Sequence, residues 1–482
     1  MRDIYKYNKN NISKMMQSAT RYYKDYAKIL EKSMVGLQNQ YNMEDRTGTF
    51  PVNGHDIYNY VARYNMANLQ IQAIMKLDGR LDFDKLKRAV RLSIDEEPVL
   101  GCRFIEDRKP YWKPLDNIEI INFCALEETE DIDQAIHNFI RGTIDLDNDP
   151  MVNVRLIRSS RSDVLAIKMN HACCDGIGTQ EYVQLLADIY TKLDQKSDTF
   201  IPEPRIAGRR DQDRLFAELG ITNQDAIFVP GSDIFMPTWP FPWEQSGSNT
   251  ALMSVSRIPS GHLEEISKYA KSLGATVNDY ILTAFYRAMI QMGQPIYGVP
   301  MEIPVTVDLR RYLPDHKTLA IRNFSGSVNT RLIMLINEPF NRTLRRVSNM
   351  MKKIKKGYPG LQSAIGLERL EKISFIETLA YYQADAKKTQ LTCPLYFGDK
   401  CVPTLSNLGI LSKSLIKFGN NTVIDAFILP PVVRAPGLLL MTSTYNSVLT
   451  LAAGYYKSTV SKENIDRLLS IIKNELIQGY KN

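Results

Sequence analysis

"NHACCDGIG", residues 170–178, holds one of only five histidines in a chain of 482 residues, and the reading of the fold turns on it. The segment before it, "DVLAIKMN", is strand-like. The segment after it, "TQEYVQLLADIYTKL", places Tyr182, Val183, Leu186, Ile189, Tyr190 and Leu193 three and four apart, the spacing of one helix face. His171 therefore stands on a tight loop between a strand and a helix. Imidazole is the side chain whose ordinary pKa best suits general-base work near neutrality. Asp175 on the same loop can hold the ring or shape the backbone, and Gly176 permits a turn that other residues would block. A histidine at a strand end also points naturally into a cleft between lobes. Alone, the pattern leaves two readings open: a base, or a buried histidine beside an ordinary turn.

The composition sets the frame. The chain is 44% hydrophobic, 23% charged and 9% aromatic, which marks a folded protein long enough for two large lobes around one cleft. The formal net charge of +7 is spread along the sequence. Its densest basic run, "MKKIKKGYPG" at 351–360, reads as a solvated helix face in preference to a phosphate site. No basic stripe is interleaved with aromatics, so nucleic acid is not an expected partner. The six cysteines form no CxxC pair and no zinc spacing, which points to a reducing, cytoplasmic compartment. The polar N-terminus lacks the apolar core of a signal peptide. The most apolar stretch, 423–441, is broken by Asp425, Arg434 and three prolines, so no membrane span is expected. Neither a Walker loop nor G-x-G-x-x-G occurs.

Along the chain, strands and helices alternate. "LQIQAIMKLDG" reads as a strand from residue 69, and "LDFDKLKRAVRLSIDEEP" as a helix capped by Asp82 or Asp84 and ended by Pro98. Two strands flank the hairpin-like "SSRSD". Prolines cluster between 194 and 250, which gives the best boundary. Beyond it come a helix capped by Ser260, an apolar helix capped by Thr276, the strand "YGVPMEIPVTVDLR", four alternating segments between 391 and 457, and a final helix. The expected organisation is a helical extension over 1–50, a first lobe over 51–200, a linker or crossing loop over 201–250 and a second lobe over 251–482.

H-x-x-x-D-G at 171–176 resembles the signature of the CoA-dependent acyltransferase superfamily. That superfamily includes chloramphenicol acetyltransferase, plant BAHD acyltransferases, alcohol acetyltransferases and nonribosomal peptide condensation domains. Further stretches agree in order: "LDGRLDFDKLKRAVRLSIDEEPVLGCRF" (77–104), "LGATVNDYILTAF" (273–285), "IPVTVDLRRY" (303–312) and "LSNLG" (405–409). Together they span about residues 65–480. The resemblance implies an α/β (α+β) fold of two lobes, each a mostly antiparallel sheet with helices, with an active-site tunnel between them.

It also implies roles. His171 matches the general base that takes a proton from the acceptor hydroxyl or amine before attack on a thioester. Asp175 is structural and pairs with an arginine, Arg310 by preference and Arg311 as second choice. Gly176 keeps the loop tight and offers its N–H as an oxyanion donor. Asn170, Asn278, Ser406 and Asn407 are the candidates for lining the tunnel or binding substrate. Condensation domains usually carry two histidines in the motif, and here the first is Asn170, which tilts the reading toward a stand-alone O-acyltransferase. The expected co-substrate is acyl-CoA, or a carrier-protein thioester, with no permanently bound cofactor and no metal. A condensation-type enzyme forming an ester or amide, or a non-catalytic binding protein retaining the fold, are the rival readings. Cys173 and Cys174 are read as turn fillers, and His55, His137, His262 and His316 as surface or structural.

Overall fold

Strand pairing in the computed structural model divides the protein into two sheet-based lobes. It describes residues 48–481 except 65, 117, 197–199, 206–209, 230–237, 245–247, 296, 334, 336 and 383–399. Most of the expected helical extension over 1–50 lies outside the described residues, as does Cys393.

The first lobe is built on a six-stranded sheet in the order Lys417–Phe418, Asn421–Leu429, Gln70–Leu77, Asp163–Asn170, Val152–Arg158, Cys124–Glu128. All its pairings are antiparallel except the last. The helices Phe83–Glu96 and Gly176–Lys196 cover one face. Asp82 caps the former, its side chain accepting from Lys85 N. Tyr182, Leu186 and Ile189 on the latter are fully buried, as their spacing requires.

The second lobe is a seven-stranded sheet, ordered Ser325–Ile333, Pro300–Asp308, Lys400–Ile410, Gly437–Tyr445, Val448–Tyr456, Ala251–Ile258, with Trp239–Pro240 pairing on Lys400–Cys401. Two of its pairings are parallel, Pro300–Asp308 on Lys400–Ile410 and the latter on Gly437–Tyr445. Helices Ser260–Ser272, Val277–Gly293, Phe340–Ile354 and Lys462–Gln478 bury its outer face. Thr276 and Asp279 form a reciprocal capping box at the start of Val277–Gly293. The other expected cap differs: Pro259 precedes the helix that starts at Ser260, and Ser260 makes no capping bond. A third apolar cluster, with Ile74, Ile140, Met253, Leu429 and Ala452, joins the lobes.

Two structural facts bear on the expected boundaries. Lys417–Phe418 and Asn421–Leu429 fall in the second-lobe range yet complete the first lobe's sheet, beside Gln70–Leu77. The chain crosses out at 411–416 and returns at 430–436, through a cis Ala435–Pro436 bond. Alternation along Asn421–Leu429 announces a strand but not its partner, since either sheet could satisfy its backbone groups. The described residues of the 201–250 segment include a packed helix. That helix, Asp213–Glu218, buries Leu215 and Phe216 against Leu309, Phe324 and Ile365.

Candidate active site

The strand Asp163–Asn170 delivers His171 to the junction of the lobes, and the helix Gly176–Lys196 begins five residues on. His171 N donates to Leu69 O at 2.8 Å, which ties the loop to the neighbouring chain segment. The loop's turn is closed from within: Asn170 Oδ1 accepts from Ala172 N at 2.9 Å and Asn170 O from Cys173 N at 3.1 Å. Asn170 is fully buried, its side-chain oxygen closing the turn. Cys173 and Cys174 are also fully buried, and Cys173 Sγ donates to Asn170 O.

The imidazole is held from the other lobe. Asn323 Nδ2 donates to both His171 O and Ala172 O, each at 2.9 Å, and its Oδ1 lies 3.1 Å from His171 Nδ1. The two carbonyls fix which end of the amide is nitrogen. Oδ1 can therefore only accept, so the imidazole proton sits on Nδ1 and the lone pair on Nε2. Burial pushes the His171 pKa below its ordinary value, against the upward pull of its own carbonyl, the Asp175 charge and Asn323. The ring is thus neutral at pH 7 and in the tautomer a general base needs.

Asp175 does not reach that ring in hydrogen-bonding contact. Its Oδ1 accepts from Gly178 N at 2.7 Å, and its Oδ2 from Phe324 N at 2.7 Å. Both oxygens meet Arg310, at 3.1 and 3.3 Å. Arg311, the second choice, is exposed and lies over Tyr312. Arg310 is 1% exposed and also meets Glu181 and Asp308 and donates to Arg322 O. Burial disfavours its charge, but three carboxylates outweigh that and raise its pKa. Burial likewise disfavours the Asp175 anion, and Arg310 with two backbone N–H groups overrides it and lowers the pKa. The net effect is a latch in which a carboxylate of the first lobe is clamped to an arginine and a backbone N–H of the second.

A second clasp supports the loop. Arg210, 2% exposed, holds Asp56 at 3.0 Å and donates to Cys173 O at 2.9 Å. Asp56 in turn accepts from Trp112 Nε1. Arg322, beside Asn323, is buried with carbonyl partners, and burial together with Arg210 lowers its pKa to about 9.

The remaining expected residues gather on the second lobe. Asn407 Nδ2 donates to Asn278 Oδ1 at 3.0 Å, and Asn407 Oδ1 accepts from Thr442 Oγ1. Ser406 Oγ accepts from Thr306 at 3.2 Å and is nearly buried. Leu408, which follows Asn407, covers Gly176: a Cβ built there would stand 2.6 Å from Leu408 Cδ2. Gly176 opens the helix, so its N–H belongs to the first turn, which has no intrahelical acceptor. His171 borders neither the open groove beside Gln184, Thr191 and Lys192 nor the small void beside Ala73, Met75 and Ala426. Asn323, Glu181 and Arg210 were missed from sequence. They sit 152, 10 and 39 positions from the residues they serve or the motif's start, in segments with no motif of their own.

The two sheet-based lobes, with a histidine loop latched across them, share their architecture with solved condensation-domain and acetyltransferase structures. Residues 64–205 match the family model of the condensation domain. An uncharacterised protein of Mycobacterium tuberculosis is 25% identical over 260 residues, 50% of this chain and 56% of that one, so the match spans about half the length of that relative. The first condensation domain of the CDA synthetase superposes with a TM-score of 0.63 at 15% identity, covering 90% of this chain and 97% of that domain. The trichothecene 15-O-acetyltransferase of Fusarium sporotrichioides gives 0.63 at 12% identity, covering 89% and 95%. The resemblance read from the motifs is thereby borne out at the level of fold. No helix among the described residues is long and apolar enough to cross a membrane.

Proposed function

We propose that this protein transfers an acyl group from acyl-CoA to the hydroxyl of an alcohol-type acceptor, with His171 as general base. His171 Nε2 takes the hydroxyl proton as the oxygen attacks the thioester carbonyl. The tetrahedral intermediate then collapses, the C–S bond breaks, and the imidazolium returns its proton to the departing thiolate. The Gly176 N–H is the proposed oxyanion donor. Asp175 and Arg310 hold the loop and move no proton. Acceptor and thioester are the only partners this chemistry needs, and it requires no bound cofactor or metal.

The observation that carries this reading is the Asn323 amide, which commits the His171 proton to Nδ1 and leaves Nε2 basic. Thiol release from an acyl-CoA series, tested against an alcohol panel with the ester identified by mass, checks it. Acceptor-dependent thiol release is expected; none from any pair would overturn it.

A second reading keeps the chemistry and replaces CoA by a carrier-protein thioester, with an ester or amide product. The condensation-domain match over residues 64–205 favours it. Transfer from a loaded carrier protein but not from the same acyl-CoA would establish it over the first.

A further inference from the structure

The helix Phe340–Ile354 and the turn after it, as far as Lys356, carry seven cations and no acid. Phe340, Leu344, Val347 and Met351 bury one side of it against the second lobe. Arg342, Arg345, Asn349, Lys352, Lys353 and Lys356 stand on the opposite side at helical spacing, and all six are exposed. The basic run at 351–360 is thus one end of a longer stripe, which extends about 21 Å from Arg342 to Lys356.

The acids around this helix are engaged on its flanks. Glu338 pairs with Arg346, Glu302 with Arg331 and Asp279 with Lys355. Among the described residues, none of the five stripe cations is paired with a carboxylate. Helix stability does not explain the arrangement. Cations three and four apart, such as Arg342 with Arg345 and Lys352 with Lys356, repel each other. Arg342 also lies in the first turn, where the helix dipole disfavours positive charge and no acid stands. Other solvated helices of the protein mix signs instead: Lys268 meets Glu264 and Glu265, and Lys462 meets Asp466.

Apolar side chains are exposed at both ends of the stripe. Arg346, on its flank, donates to Ile333 O at 2.7 Å and so sets the end of Ser325–Ile333 beside the helix. Ile333 and Leu335 there are 42% and 43% exposed. Past Lys356, Tyr358 is 56% exposed and edge-on to Tyr312, with Arg311 over the Tyr312 ring.

We infer that this face docks the protein on an anionic phospholipid bilayer. The cations meet the headgroups, and Ile333, Leu335 and Tyr358 enter the interface beside them. The charge sets the sign of the partner. The apolar ends select a bilayer over a soluble polyanion, which would meet the cations and leave those side chains in water. Docking of this kind does not depend on acyl transfer. Each cation near such a surface strengthens binding about fivefold.

The test is co-sedimentation of the full chain with vesicles of phosphatidylcholine, alone or with about 30% phosphatidylserine. Binding to the anionic vesicles should exceed that to the neutral ones more than about 30-fold, and fade as NaCl rises from about 0.1 M to about 0.5 M. Arg345→Gln/Lys352→Gln/Lys356→Gln, all at exposed positions, should weaken it about 100-fold. Lys87→Gln/Lys268→Gln/Lys462→Gln removes the same charge from other helices and should bind like the wild type. Leu335→Ser should weaken binding about fivefold and leave its salt dependence unchanged. Equal binding to the two kinds of vesicle, or no loss in the stripe variant, overturns the inference. Salt-sensitive binding to polyglutamate with none to vesicles would give the face to a soluble polyanion, and overturns it too.

Discussion

Asn323→Asp replaces one amide nitrogen by oxygen and should move the pH dependence of the reaction. In the wild type the neutral amide oxygen accepts from His171 Nδ1 at 3.1 Å, and the imidazole is held below its ordinary pKa by burial. The acid limb of kcat/KM should therefore lie below the usual imidazole value of about 6.5. A carboxylate within about 4–6 Å raises a neighbouring cation's pKa by about 1–3 units. Arg322 and Arg310 share the new charge, which places the expected rise at the lower end. The acid limb should climb by about 1 unit, and an imidazole C–H titration followed by NMR should move equally. The variant also loses both donors to His171 O and Ala172 O. Each buried acceptor left unpaired costs about 1–3 kcal/mol, so its unfolding midpoint should fall as well. Asn323→Ala should show the same loss of stability without the upward shift. An acid limb and a titration that stay at the wild-type position in Asn323→Asp would refute the tautomer argument.

Arg310→Met leaves Asp175, Glu181 and Asp308 without their shared cation and should cost about 3–5 kcal/mol in urea unfolding. Arg310→Lys should restore only part of it, because one ammonium cannot span both Asp175 oxygens. His55, 1% exposed and bonded to Ser325 O, is held near a pKa of about 4 chiefly by burial, then by Arg322. Below pH 6.5 the unfolded chain takes up a proton that the folded one refuses, so stability is full above that pH and falls toward pH 4. The loss is about 3 kcal/mol, which denaturant midpoints at pH 7 and 4.5 in wild type and His55→Gln should register. Gly326→Ala brings a Cβ to 2.2 Å from the backbone oxygen of Gly360, whose φ of +87° leaves it little room to retreat. It should lower Tm more than Gly176→Ala, whose Cβ meets only the flexible end of Leu408.

Most of the first lobe was legible because its elements announce themselves locally. The spacing of Tyr182, Leu186 and Ile189 gives a helix, Asp82 gives its neighbour's start, and "SSRSD" gives the hairpin between Val152–Arg158 and Asp163–Asn170. Arg310 was reachable through the motif around it. What stayed hidden is non-local. Asn421–Leu429 shows its alternation but not which sheet it joins. Asn323 looks like any turn residue until the fold brings it across from the other lobe. Asn170 is a candidate for lining the tunnel or binding substrate by its place in the motif, and only the fold shows its side-chain oxygen closing the turn onto Ala172 N.

The central claim is that His171 Nε2 performs the proton transfer, and turnover by His171→Ala tests it most directly. With a donor and acceptor that the wild type converts, and with folding verified by an unchanged unfolding transition, thiol release and ester formation should both fall by about 10²–10⁴-fold. A folded His171→Ala protein that forms product at the wild-type rate would contradict the account.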